Sequence, residues 1–146
     1  MIRLEPITPD NQKAVREMSV REDQQHLVAP VELSLADAYV WKESSFRAAY
    51  KDESPVGYVL VFPFTESDQR IVNIVRLMID ARYQGSGLGR ALLITTLEWI
   101  ESFSPVVDKV RISALPENEV ALRLYRSEGF EDAGLEDGEV ALYRSR

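Results

Sequence analysis

Hydrophobic residues at Ile2 and Leu4 alternate with polar ones, the two-residue period of a short first strand. The cluster Thr8-Pro9-Asp10 then supplies a helix start ahead of Ala14, Val15 and Met18, so a first helix is predicted there. Ser34 and Asp37 stand at the spacing of a capping box before Ala38, Tyr39 and Trp41, which places a second helix at 35–44. From that point the period changes. Apolar-rich runs at 46–51, 56–64 and 71–79 are separated by the turn Asp52-Glu53-Ser54-Pro55 and by a polar loop reaching Gln69, and they read as a three-strand antiparallel meander. Leu88, Ala91, Leu92, Thr95, Leu97, Trp99 and Ile100 make 87–103 a long core-packed helix, closed by Ser104-Pro105. A strand at 110–114 follows, then a helix at 118–128 that carries Val120, Ala121, Leu124 and Tyr125 and stops at Gly129 as a C-cap. Phe130 and 140–143 supply the last strands. The predicted order is β-α-α-β-β-β-α-β-α-β-β, an α/β (α+β) fold with a mixed sheet and helices on its faces.

No linker, repeat or low-complexity tract interrupts this alternation, so residues 1–146 are expected to form a single domain. Composition narrows the chemistry. The chain has no cysteine, which excludes a thiol nucleophile, a thiolate-ligated metal and a thiol switch; with one histidine, His26, no metal site is expected. The net charge of -7 argues against a nucleic-acid backbone or an anionic membrane as the main partner and suits a small cationic one. Much of the acidic excess lies in Glu131, Asp132, Glu136, Asp137 and Glu139, which also fits a solvated surface. The first residues lack the apolar run of a signal peptide and no stretch approaches the length of a membrane span, so a cytoplasmic location is the expectation.

The chemistry concentrates where the third meander strand runs through Ile79-Asp80-Ala81-Arg82-Tyr83-Gln84 into Gly85-Ser86-Gly87-Leu88-Gly89-Arg90 and then directly into a helix. Glycines at alternate positions let main-chain N–H groups approach an anion, and the helix start adds unpaired donors and a positive dipole. The segment reads as a phosphate or pyrophosphate cradle. It lacks the Gly-Lys-Ser/Thr ending of a nucleotide-hydrolysing loop, and its Gly-x-Gly-x-Gly spacing is not that of a dinucleotide fingerprint. A kinase glycine loop joins two strands, whereas this one joins a strand to a helix.

With Gln84, Gly87 and Gly89 filling Gln/Arg-x-x-Gly-x-Gly/Ala, the chain resembles the GNAT superfamily of N-acetyltransferases. Asn118, Ala121, Leu124-Tyr125 and Gly129-Phe130 resemble a second family segment, Asn-x-x-Ala-x-x-Leu-Tyr-x-x-x-Gly-Phe. The resemblance implies a mostly antiparallel mixed sheet, acetyl-CoA as co-substrate, and a division of labour. Main-chain groups of Gly85, Ser86, Gly87, Leu88, Gly89 and Arg90 would hold the pyrophosphate, with Gln84 at the head of the loop. Leu77, Met78 and Ile79 would pair with pantetheine like an added strand, and an N–H near Leu77 or Met78 would polarise the thioester carbonyl. Asn118 would touch the cofactor, and Tyr125 would protonate the departing thiolate. The same residues admit structural roles: Asn118 as a helix cap, Tyr125 as a core aromatic, and Arg82 and Arg90 as surface arginines.

An attacking amine must first lose a proton, since an alkyl ammonium has a pKa of ~10 in water. Many relatives place an acid on the strand entering the cradle, yet 71–79 contains none, and Asn73 and Val75 stand where relatives carry one. A water relay or an acid from another element is required, and the absence of a Cys or a Ser-His-Asp pattern favours direct attack within a ternary complex. His26 has a suitable pKa class but also fits a solvated position. The N-terminal third, including 25–30 and 34–39, resembles bacterial spermine/spermidine acetyltransferases, which implies a polyamine acceptor. Glu22, Asp23, Glu32 and Asp37 are then candidate ammonium partners, and Tyr39 and Trp41 candidate cation–π partners, although surface acids and core aromatics fit equally. Acetylation of a protein or peptide N-terminus, and a non-catalytic acyl-CoA sensor, remain open; so does a homodimer, common in the superfamily.

Overall fold

The computed structural model describes residues 1–27, 29–103 and 107–145. Its elements are β1 (Ile2–Pro6), α1 (Gln12–Arg16), a 3-10 helix (Glu22–Leu27), α2 (Val31–Val40), β2 (Ser45–Lys51), β3 (Ser54–Glu66), β4 (Gln69–Ile79), a second 3-10 turn (Ala81–Tyr83), α3 (Leu88–Phe103), β5 (Lys109–Ala114), α4 (Glu119–Ser127), β6 (Glu131–Glu136) and β7 (Glu139–Ser145). The strands form one seven-stranded sheet in the order β1-β2-β3-β4-β5-β7-β6. Every adjacent pair is antiparallel except β4 with β5. That parallel pair is joined by the crossover through α3, as parallel neighbours require.

Alternation along the strands sends the side chains to two cores. Val59, Val61, Val72, Ile74, Ile112 and Leu142 pack with Leu93, Leu97 and Ile100 of α3 and Leu122 of α4. On the opposite face Phe46, Ala48, Tyr58, Leu60 and Met78 meet Val15 of α1 and Val31 of α2. The first two helices thus cover β2 to β4, and the last two sit on the other side. Each fully buried aliphatic side chain in these layers contributes about 1.5–3 kcal/mol relative to exposure.

Three boundaries differ from the pattern. Helix α2 begins at Val31, not at 35, because Pro30 is already set at φ -61° ahead of the first turn, and it ends at Val40 rather than 44. Ser34 and Asp37 are therefore interior to α2 and do not cap it; Ser34 is buried and Asp37 faces Arg76 at 3.7 Å. Phe130 is buried ahead of the strand instead of within it, and the acidic run from Glu131 forms β6, an edge strand exposed along its whole length. Its main chain pairs with β7 although no apolar face announces a strand. Helix α1 is short, started by a reciprocal pair in which the Thr8 N–H donates to Asn11 Oδ1 (2.8 Å) and the Asn11 N–H to Thr8 Oγ1 (3.3 Å). The expected stop at Ser104-Pro105 lies outside the described residues, as does Val28 of the 25–30 segment.

Candidate active site

Strands β4 and β5 are in register only where 71–74 faces 109–112. Beyond Ile74 they diverge, which frees the edge of β4 that would otherwise bond to β5. The divergence coincides with a bulge: Val61 faces Ile74 and Leu60 faces Arg76, leaving Val75 without a partner on β3. An extra residue bends its strand and reverses the facing of everything after it. Leu77 and Ile79 consequently join the α3 side, and Arg76 and Met78 turn toward α1 and α2.

A trough of about 360 Å³ opens along the freed edge, lined by Leu77, Met78 and Ile79 of β4, by Gln84, Gly85, Gly87, Leu88 and Gly89, and by Asn118, Ala121, Leu124 and Tyr125. Gly85 and Gly87 take φ of +88° and +79°, and a Cβ added at either would meet no atom. Glycine is needed there for its left-handed backbone rather than for space. The Gln84 side chain donates to the Ile79 carbonyl at 2.9 Å and closes the loop onto the strand end. The first amides of α3 have no earlier carbonyl within the helix to bond. Two expected cradle residues do not line the trough: the Ser86 hydroxyl donates to the Tyr83 carbonyl (3.1 Å), and the Arg90 guanidinium is held by Ser127 and Glu128.

The loop is anchored by a residue that the sequence pattern did not single out. Asp80 is 2% exposed, accepts from the Ser19 N–H (3.2 Å) and from Arg82 Nε (2.7 Å), and its own N–H donates to the Val56 carbonyl (2.8 Å). One buried carboxylate ties the segment after α1 to the start of the cradle. Arg82 is thus engaged with Asp80, which raises its pKa by hydrogen bonding. The sequence signal was an isolated acid immediately after an apolar strand.

A second cavity of about 280 Å³ lies beyond Leu27, Leu77, Met78, Asn118 and Tyr125, which line both spaces. Its other walls include His26, Ala29, Tyr58, Arg76, Ser113 and Glu139. Asn118 caps α4, its Oδ1 accepting from the Ala121 N–H at 3.4 Å, and lines both cavities as well. Tyr125 is a core residue, 7% exposed with its ring 6.2 Å from that of Phe130, and stands where the two cavities meet. The structural and functional readings of these two side chains are compatible.

Burial, and secondarily the charge of Glu139, push the Tyr125 phenol up from 10.0 to about 12. The folded chain therefore holds this proton more tightly than the unfolded one. The associated stability is complete below pH ~10 and is lost as pH climbs through the folded value, a total of about 3 kcal/mol. Urea unfolding at pH 9 and pH 11 should show about half of this loss in the wild type and a smaller one in Tyr125→Phe, Tyr58 being raised in the same direction by burial. Equal losses in the two proteins would contradict the assignment.

Of the residues expected on the acceptor side, Glu32 lines a third cavity of about 430 Å³ that shares Ala29, Tyr58 and Met78 with the second. Glu22 and Asp23 sit exposed on the 3-10 helix, with Asp23 3.6 Å from Arg21, and border none of these spaces. Tyr39 is 89% exposed on α2 and Trp41 packs on Phe62 at 5.5 Å; neither borders the three cavities. His26 borders the second. No helix among the described residues is long and apolar enough to cross a membrane.

A model of the acetyltransferase (GNAT) family matches residues 8–130. A spermine/spermidine N(1)-acetyltransferase of Bacillus subtilis is 27% identical over 137 residues, 91% of this chain and 90% of its own. Among solved structures, PaiA N-acetyltransferase from Thermoplasma acidophilum, in complex with coenzyme A, superposes with a TM-score of 0.73 at 12% identity, covering 100% of this chain and 99% of its own. An aminoglycoside acetyltransferase, also in complex with coenzyme A, reaches 0.81 at 20% identity, covering 100% and 95%. The splayed β4/β5 pair and the glycine cradle at its mouth agree with a match that spans most of the chain, and this protein belongs to the acetyltransferase (GNAT) family.

Proposed function

We propose that the protein transfers acetyl from acetyl-CoA directly to a primary amine of a small cationic acceptor, with a polyamine such as spermidine as the first candidate. The observation that carries this reading is the meeting of two cavities at Tyr125 and Asn118, one running to the glycine loop and the other to Glu139. The trough suits the donor: amides around Gly87 take the pyrophosphate, and the free edge at 77–79 takes pantetheine as an added strand. An extended chain seated there brings its thioester to Tyr125. The nucleophile then enters from the second cavity, and no acyl-enzyme is needed. The adjoining third cavity, with Glu17 and Glu32 in its lining, offers carboxylates to a second ammonium group of a long acceptor. The B. subtilis relative supports that choice.

The test is an acceptor screen with acetyl-CoA, reading free thiol across polyamines, amino acids, aminoglycosides and peptides, preceded by calorimetric titration of acetyl-CoA. Binding of the donor and turnover with spermidine are expected. Turnover on peptides alone would move the acceptor to a polypeptide N-terminus. Tight donor binding with no turnover on any amine would make the chain a sensor.

A further inference from the structure

We infer that Glu139 is the carboxylate that receives the acceptor ammonium and takes its proton before transfer, a role that rests on the acetyltransferase reading above. Strand β4 offers no acid, and the nearest substitute on it, Asn73, is tied through its Oδ1 to Arg111 Nη1 at 3.1 Å. Among the described residues lining the second cavity, Glu139 is the one carboxylate. It stands at the start of β7, immediately after the Asp137-Gly138 turn, and is half-buried.

Its position is built. Ser113 of β5 pairs with Ala141, so Glu139, two residues back along β7, projects from the same face. The Ser113 hydroxyl donates to Glu139 Oε1 at 3.1 Å and fixes one carboxylate oxygen. Arg76, which lines the same cavity, lies 3.7 Å from Asp37 with its Nε unpartnered, and Arg111 pairs with Glu136 at 3.1 Å. Glu139 itself forms no ion pair among the described residues, so its charge is open to an incoming cation. Glu139 and Tyr125 line the same cavity, which puts both groups within one acceptor space.

The proton balance closes with these two side chains. The ammonium gives one proton to Glu139, and the free amine attacks the thioester carbonyl to form the C–N bond. The C–S bond then breaks and the thiolate takes the Tyr125 proton, while the second proton on the new amide nitrogen restores the phenol. The net proton leaves from Glu139 to water.

The groups facing Glu139 are His26 from the 3-10 helix, Tyr58 from β3, Arg76 from β4 and Tyr125 from α4, with Arg111 and Glu136 alongside. The experiment compares wild type, Glu139→Gln, Glu139→Asp and His26→Gln at saturating acetyl-CoA, using the amine that turns over best in the screen. Glu139→Gln should lower kcat/KM at neutral pH at least about tenfold, with the donor KM and the melting temperature unchanged. Glu139→Asp should recover part of the loss. The deficit should shrink as pH rises toward the pKa of the amine, where solution supplies the free base. A Glu139→Gln rate within twofold of wild type, or a loss confined to His26→Gln, overturns the assignment while leaving the function standing. A wild type that acetylates no amine overturns the function and Glu139 with it.

Discussion

Tyr125→Phe is expected to reduce kcat on the order of 10²–10³-fold while changing the donor KM little, the largest effect of any single hydroxyl in the molecule. The ring stays: Phe fills the same buried position and keeps the contact with Phe130, so folding at neutral pH is not at issue. What disappears is the one phenolic proton at the junction of the two cavities. Because burial and Glu139 hold its pKa near 12, this phenol is protonated throughout the neutral range and always has a proton to share. Transfer to a thiolate whose acid has a pKa of ~8.5 is uphill for a group so weakly acidic. The step becomes favourable only when coupled to loss of the proton on the newly bonded nitrogen, which returns to the phenol oxygen. Steady-state rates from thiol release, with melting temperatures on the same samples, check the prediction. A Phe variant whose kcat stays within twofold of wild type would remove Tyr125 from the chemistry and leave it a core residue.

The features legible in the sequence were those whose local pattern and three-dimensional role coincide. The meander showed as three apolar runs with polar turns, the cradle as alternate glycines between strand and helix, and α4 as an apolar stripe beginning at Asn118. The acceptor side was harder to read for physical reasons. The 3-10 helix Glu22–Leu27 buries none of its residues, so no hydrophobic period marks it, yet it carries His26 to the cleft. The bulge at Val75 is a one-residue slip inside an apolar run, invisible without the register of β3. Glu139 lies within an acidic stretch that reads as solvated surface; only the pairing of β5 with β7 brings it beside Ser113 and into the cavity that Tyr125 also lines. Glu22 and Asp23 showed the reverse error of emphasis, prominent as charges but standing outside the cavities.

Glycine shows the same gap between motif and structure, and it yields the second large effect. Gly89 belongs to the recognisable cradle, but a Cβ there would lie 3.8 Å from Leu124 Cδ2, an ordinary contact, and its backbone is helical. Gly89→Ala should therefore fold as well as wild type or better, gaining up to about 1 kcal/mol from the helix. Gly57 sits unmarked in the apolar run of β3 opposite Ile79, and a Cβ there would lie 2.2 Å from the Met78 carbonyl oxygen. The obstacle is main chain, which cannot rotate away as a side-chain end can. Gly57→Ala must push β3 from β4 at Met78, next to the hydrogen bond from the Asp80 N–H to Val56 that anchors the loop. The strand edge proposed for pantetheine and the cradle beyond it would move together. A loss of about 1–3 kcal/mol is expected from the forced separation, lowering the melting temperature by several degrees. A 1 Å displacement near the reacting groups can cost about 10²-fold in rate, so activity should fall much further than stability. Thermal melts, acetyl-CoA titration and rates on the two alanine variants check this together: Gly57→Ala with a wild-type melting temperature and donor affinity would show that β3 can yield there without cost to the site.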